Sequence, residues 1–285
     1  MIREYICSRG YEFVMREYQN DISFTTYRYF EMNKAAMFTV ENDGFWVTDH
    51  RVDEGIRHVR WEDLTGVSIY HDWAGGRDGE KNDFAAIVMI AWTKRIEGVT
   101  IQDDADNFNG QYGYVLNAKL ERVPLPRQIE FMFDMAEEAM DTLIRVPNLS
   151  IKMGYEEIID GIGSANKLYK QMFMREQQKR GEQFDKLRIQ AITQARINKL
   201  DRIDTLAGPI NFGWLAFHEH LPNEFISQLS QYPVADHDDG PDALEGATKR
   251  QLRPATPKTP QRLPDFDEAE FEYGESKGLK LGGSW

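Results

Sequence analysis

Cysteine is all but missing from this chain: Cys7 is the only one among 285 residues. One thiol excludes an internal disulfide and any zinc cage built from cysteines, and it suits a reducing compartment. Long apolar runs are missing as well. No stretch approaches the roughly 18 residues a membrane helix needs, and the N-terminus lacks a secretory signal pattern. The expectation is a soluble, non-secreted protein with no membrane partner. Net positive charge is a third absence: a net of −13 counts against a nucleic-acid binder, unless bound divalent cations reverse the sign locally. Finally, no G-x-x-x-x-G-K-[ST] loop occurs anywhere, so the chain carries no P-loop ATPase.

What the chain does have is acid in tight clusters. His237-Asp238-Asp239-Gly240-Pro241-Asp242-Ala243-Leu244 puts three carboxylates within five residues where a loop becomes a helix. Crowded like charges are tolerated when solvated, when they share a proton, or when a metal neutralises them. Pro241 suits a first helical position, which makes Gly240 the expected N-cap, and Asp239 and Asp242, three apart, can share a side. The plain alternative is that these acids complement a helix dipole on a wet surface. A second acid, Asp72, ends the strand-like run Gly66–His71. A polar loop reaching Asp83 separates it from Phe84–Trp92, whose unbroken apolar character predicts a strand buried on both faces. Asp72 as a simple loop-opening residue is the alternative there.

Residues 1–65 read as an N-terminal extension with a helix and a small hairpin. The main domain, 66–248, opens with three strands joined by local connections (66–72, 84–92 and 111–120), an antiparallel meander. Helical spacing follows over 127–145, then a strand at 149–153 ending in Gly154-Tyr155-Glu156-Glu157. Helices are expected over 164–180 and 182–206, a fifth strand over 210–217, and a short helix over 222–230 before the acidic cluster. The fold class predicted is α/β, a mixed five-stranded sheet of order βββαβαβα flanked by helices. It brings together Asp72, Glu156 or Glu157, and Asp239 with Asp242. Lys167, Lys170, Arg175, Lys179, Arg180, Lys186, Arg188, Arg196, Lys199 and Arg202 form the most cationic stretch. They are either a basic groove or an ordinary charged helix surface. Residues 249–285, with four prolines and a Gly-rich finish, read as a disordered tail.

These motifs resemble the C-terminal nuclease domain of the large terminase subunit of tailed bacteriophages, which has a ribonuclease H-like fold and cuts concatemeric viral DNA. The resemblance lies in Tyr232–Glu245, in His71-Asp72-Trp-Ala-Gly-Gly with Asp83–Val88, in Lys199-Leu-Asp-Arg202-Ile203, and in Glu17–Asp21. It implies catalytic acids at Asp72, Glu156 and Asp239, with Asp242 as an additional metal ligand. Glu157 remains an alternative to Glu156, although the following Gly161-Ile-Gly163 turn favours Glu156. Asp238, His237 and Asp83 are possible further members of the site. Lys199 and Arg202 either contact DNA or brace the sheet.

The activity implied is hydrolysis of double-stranded DNA with two Mg²⁺ or Mn²⁺ ions about 4 Å apart. The partners implied are a separate ATPase motor polypeptide, the portal and the small terminase subunit, in the host cell cytoplasm. With no motor motif, the chain is expected to be a natural split subunit or a piece lacking the motor, and its start at Met1 and its tail favour the former. The competing expectations are a junction resolvase or transposase-like nuclease on the same fold, a non-catalytic packaging adaptor that docks the motor, and a structural Ca²⁺ site.

Overall fold

The computed structural model describes residues 29–50, 55–74, 84–94, 111–157, 163–193, 198–249 and 251–254. Its strands are β1 (Ala36–Glu41), β2 (Gly44–Thr48), β3 (Ile56–Arg60), β4 (Leu64–Asp72), β5 (Ala85–Thr93), β6 (Gly113–Glu121), β7 (Ser150–Glu156), β8 (Ile189–Ile192) and β9 (Leu215–His218). Its helices are α1 (Leu125–Thr142), α2 (Ser164–Arg180), α3 (Lys199–Asp204), α4 (Ala207–Asn211), α5 (Asn223–Gln231) and α6 (Asp239–Ala247).

All nine strands form one mixed sheet in the order β3-β2-β1-β9-β6-β5-β4-β7-β8. Within it, β6-β5-β4-β7-β8 form a five-stranded unit: β4, β5 and β6 are an antiparallel meander, and β7 and β8 add in parallel beside β4. All nine residues of β5 are buried, which explains why it reads as an unbroken apolar run. The sheet divides the core in two. Val67, Ile69, Ile87, Met89, Met153 and Tyr155 face α1 and α2, whereas Tyr70, Ala86, Val88, Ile90 and Trp92 face α3, α4, α5 and α6.

Three sequence expectations are corrected here. The fifth strand of this unit is β8, not 210–217, and it lies inside the segment expected to be a helix over 182–206. Leu187, Ile189 and Ala191 recur every second residue and pack on the α1–α2 side of the sheet. That is strand spacing, and pairing with Met153–Glu156 secures it. Within 210–217 only the last part is a strand. Residues 207–211 are helical, with Pro209 in the first turn, where its missing N–H costs no bond. β9 runs parallel between β6 and β1, at the opposite side of the meander from β8.

The second correction concerns the ends. The described residues before β4 are continuous with the main sheet, because β1 pairs with β9 and carries β2 and β3 beyond it. At the other end, Gln251–Pro254, expected in the disordered tail, pack back: Leu252 is fully buried, and Lys152 Nζ donates to Arg253 O at 2.7 Å. Residues from 255 onward, like Glu17–Asp21, lie outside the described residues. Third, the cap of α6 is Asp238 and the helix begins at Asp239, so Gly240 is helical and Pro241 is the third residue, still in the first turn. Gln228 Oε1 accepts from Gly240 N at 2.8 Å, which satisfies an amide that the helix cannot.

α6 lies across β4 and β5 at close range. Ser68 Oγ donates to Ala247 O at 2.9 Å and accepts from Trp92 Nε1 at 2.8 Å. A Cβ on Gly246 would come within 2.1 Å of the Tyr70 ring. Alanine gains about 1 kcal/mol in helix propensity over glycine, but overpacking a core costs about 1–3 kcal/mol, and Tyr70 is fully buried with no room to retreat. Gly246→Ala is therefore expected to lower the urea midpoint. An unchanged midpoint would show that α6 is not seated on Tyr70 this tightly.

Candidate functional site

β4, β7 and β8 run in the same direction, so their carboxyl ends meet on one side of the sheet, where antiparallel β5 begins. His71 lies opposite Tyr155 and Asp72 lies opposite Ala86. One residue further along the parallel ladder, Asp72 and Glu156 become neighbours. Alternation sends Tyr70 and Asp72 to the α6 side, and Gly154 and Glu156 to that same side. The two carboxyls crowd one another closely enough that Glu156 helps to hold Asp72 in its neutral form. Both are partly exposed and so can be reached from solvent.

Asp72 pays for this position electrostatically. Desolvation, then the hydrogen bond with Glu156, then the charges of Asp242 and Glu156 hold its carboxyl well above the usual aspartate range, and only Lys199 pulls it down. The same crowding is felt at Tyr70: burial first, then Asp72, Glu156, Asp242 and Glu245, push its hydroxyl well up. Four acids thus converge on one side of β4.

The α6 acids are neutralised from α3. Arg202 Nη1 donates to Asp242 Oδ1 and to Glu245 Oε2, each at 3.0 Å, with all three side chains buried. Lys199 Nζ lies 2.8 Å from Asp238 Oδ1 and 3.2 Å from Asp242 Oδ2, and Lys249 pairs with Glu245. Burial alone would lower the Lys199 ammonium, but Asp242, Asp238 and Asp72 outweigh it and hold it above its ordinary value. Asp72 and Glu156 make no direct ion pair among the described residues; Lys199 reaches Asp72 only through its field.

Asp239, in the first turn of α6, faces the start of β5, where Phe84 N donates to its Oδ2 at 3.2 Å. His237 Nδ1 is 3.8 Å from the same oxygen. Glu157 turns away from the pair and accepts from the Thr193 hydroxyl, so strand alternation separates it from Glu156. Asp83 lies outside the described residues.

Several assignments change. Asp242, expected as an additional metal ligand, has both oxygens engaged by Arg202 and Lys199. Arg202 spends its donors inside the protein, so of the two roles open to it, bracing is the one its geometry supports. Of the cationic stretch, Lys199 and Arg202 meet the acids, Arg196 lies outside the described residues, and the α2 cations lie elsewhere. Arg180 pairs with Asp134, Glu137 and Glu176, and Lys179 with Glu130 and Glu176, on the α1–α2 face across the sheet. Sequence reasoning missed Glu245, Lys249 and Arg122. The i,i+4 spacing of Glu245 and Lys249 was a usable local signal. Arg122 had none, because its place depends on β6 pairing with β5.

All the acids offer hard oxygen donors, the chemistry that suits Mg²⁺ or Mn²⁺. Among the described residues no three His, Cys, Asp or Glu side chains are drawn into a ready metal cage. What is present is a crowded carboxyl pair, Asp72 and Glu156, with Asp239 as the next acid at the neighbouring strand. A divalent cation would relieve that crowding, so the donor set fits such an ion. No helix among the described residues is long and apolar enough to cross a membrane.

On the opposite side of β4, His71 is fully buried. Gln128 Nε2 donates to Val123 O at 2.6 Å and to Ala74 O at 3.2 Å, which turns Gln128 Oε1 toward His71 Nε2 at 3.1 Å. Tyr169 lies 2.5 Å from His71 Nδ1 and donates to it. Burial lowers His71 to about 3, with the Gln128 hydrogen bond opposing.

Two pH dependences follow with opposite signs. Asp72 titrates higher in the folded chain than unfolded, so its stabilising contribution is complete at low pH and is lost as pH rises through its folded value. Asp72→Asn is expected to be more stable than wild type in urea at pH 8, with the advantage shrinking or reversing at pH 4.5. A parallel response at both pH values would contradict a strained carboxyl. His71 titrates lower when folded, so its contribution is present above about pH 6.5 and is lost as pH falls toward 3, by about 5 kcal/mol at the extreme. His71→Gln is expected to remove close to one proton of uptake on unfolding between pH 6.5 and 4, measured from the slope of stability against pH.

No protein-family model matches this sequence, and no curated protein matches it. Solved structures of the human cytomegalovirus terminase nuclease domain are similar in fold. The Mn-soaked, inhibitor-bound form has 10% identity and a TM-score of 0.46, covering 66% of this chain and 84% of that one. A second structure of the domain has 9% identity and a TM-score of 0.47, covering 66% and 85%. The Mn-soaked form has 10% identity and a TM-score of 0.43, covering 66% and 83%.

Proposed function

We propose that this chain is the metal-dependent DNA endonuclease of a viral genome-packaging terminase. The observation that carries the reading is the Asp72–Glu156 carboxyl pair at the ends of two adjacent parallel strands, partly open to solvent, with no cation in an ion pair with it among the described residues while Asp238, Asp242 and Glu245 each have one. Evolution of a stable fold would remove such a pair unless something positive is meant to bind there. The terminase assignment rests on the motif resemblance around Asp72 and Tyr232–Glu245.

Asp72, Glu156 and Asp239 are the residues that would hold the ions, two of Mg²⁺ or Mn²⁺ in this reading. When bound, these ions would supply an activated water and charge neutralisation at the leaving oxygen. The protein's own part is positional. α6, locked on Tyr70 and Ser68, presents Asp239 to the start of β5. Arg202 and Lys199 cancel Asp242, Asp238 and Glu245, so that acids near the site do not add further repulsion to a polyanionic substrate. Double-stranded DNA, an ATPase motor polypeptide, the portal and the small terminase subunit are the partners, and the host cell cytoplasm is the place of action.

The purified chain is expected to cleave supercoiled plasmid with Mn²⁺ or Mg²⁺ and not with EDTA. Asp72→Asn, Glu156→Gln and Asp239→Asn, each shown to be folded, should lose about two orders of magnitude or more in rate. Asp242→Asn should lose stability instead, by about 3 kcal/mol, because it leaves Arg202 poorly paired. Cleavage that survives in Asp72→Asn or Glu156→Gln would overturn this centre. Much faster cutting of branched DNA than of linear duplex would shift the substrate to junctions.

A further inference from the structure

Beside Asp239 stands a group of side chains that the proposed reaction does not use. Arg122 follows β6, and because Glu121 pairs with Ala85, it lies at the same end of the sheet as Asp72 and Asp239. Its guanidinium stacks on the Phe84 ring, 3.8 Å from the centroid, and its Nη2 is 3.2 Å from His237 Nε2. The Phe84 and His237 rings meet edge to face at 5.1 Å. His237 then turns its other nitrogen, Nδ1, toward Asp239 Oδ2.

A guanidinium has donors only and stays charged. Facing Arg122, the His237 Nε2 must therefore accept, which leaves the ring proton on Nδ1, directed at Asp239. Phe84 contributes twice: its ring fixes the Arg122 plane, and its backbone N–H holds the same Asp239 oxygen at 3.2 Å. Arg122, Phe84 and the His237–Asp239 segment come from three different stretches of chain, so their alignment is a property of the folded sheet end.

We propose that Arg122 is a positioning residue for Asp239, acting through His237: it fixes the His237 tautomer as Nδ1–H, so that the proton-bearing edge of the ring, 3.8 Å from Asp239 Oδ2, faces the carboxylate and favours its orientation electrostatically. The relevance of this to cleavage rests on the nuclease reading, whereas the tautomer itself does not. Groups that orient a ligating carboxylate or histidine typically change metal affinity by about ten- to a hundredfold.

The test uses the full chain. Long-range ¹H–¹⁵N spectra of the histidine rings, with the His237 signals identified by their loss in His237→Asn, are expected to show the Nδ1–H tautomer in metal-free wild type. Arg122→Met, which keeps bulk and removes the donors, should shift His237 toward Nε2–H or a mixture. Arg122→Lys, which keeps a donor, should retain more of the Nδ1–H form and serves if the Met variant does not fold. An Nε2–H ring in wild type, or a tautomer unchanged in a folded Arg122→Met protein, would overturn the proposal.

Mn²⁺ titration by calorimetry adds the consequence. Arg122→Met should weaken binding roughly tenfold, and combining it with His237→Asn should cost little more than either change alone, as for residues acting in series. Losses that multiply would also overturn it. A wild-type chain that binds no divalent ion would sink the nuclease reading, while the ring spectra would still decide the role of Arg122.

Discussion

Two carboxyl groups crowded against one another set the terms for this end of the molecule. Parallel pairing of β4 with β7 gives Asp72 and Glu156 no choice but to meet: the register is fixed by six paired residues before them, and the pleat sends both to the same side. A slip of one residue would bring Glu157 inward and would also turn the apolar faces of both strands over. The acidic pair is therefore tied to the packing of the whole core. Its unfavourable electrostatics cannot relax by local rearrangement, only by protonation or by a cation.

The rest of the acidic cluster shows what relief looks like when the fold supplies it. Asp238, Asp242 and Glu245 project from α6, and Lys199, Arg202 and Lys249 meet them one by one. Buried pairs of this sort add little net stability over apolar packing, but removing one partner is costly. Their effect here is to fix α3 against α6, and hence the first turn of α6 against β5. A net charge of −13 is thus unevenly distributed in its consequences: most local acids are paired, and the unpaired charge is concentrated where the two strand ends meet.

Much of this was legible in the sequence, and the failures have physical causes. The apolar run of β5, the meander, and helix α2 to its bounds could be read because each depends on local periodicity. The acids Asp72 and Asp239 stood out because they adjoin such elements. β8 was misread because Leu187, Ile189 and Ala191 sit in a cation-rich stretch whose period of two is short, and only pairing with β7 makes it a strand. β9 was misplaced because strand order is a long-range property: four residues cannot say which edge they join. The choice between Glu156 and Glu157 needed the actual end of the β7 ladder, and the cationic helices looked like a groove until α1 supplied their acidic partners.

The same contrast explains why Arg122 carried no signal while His237 did. His237 belongs to a contiguous acidic stretch, so its chemistry is visible in the chain. Arg122 becomes relevant only when β6 folds against β5 and β5 delivers Phe84 as a platform. A cation stacked on a ring loses little freedom when it then donates a hydrogen bond, because the plane of the guanidinium is already set. In the proposed nuclease site, whose central pair is electrostatically strained, rigidity of the third acid would come from such neighbours, since a freely rotating Asp239 would leave two carboxyls to hold an ion that needs more oxygens. The placement of Phe84, giving both a ring to Arg122 and an amide to Asp239, makes the start of β5 the part of the sheet that joins the strand acids to the helix acid.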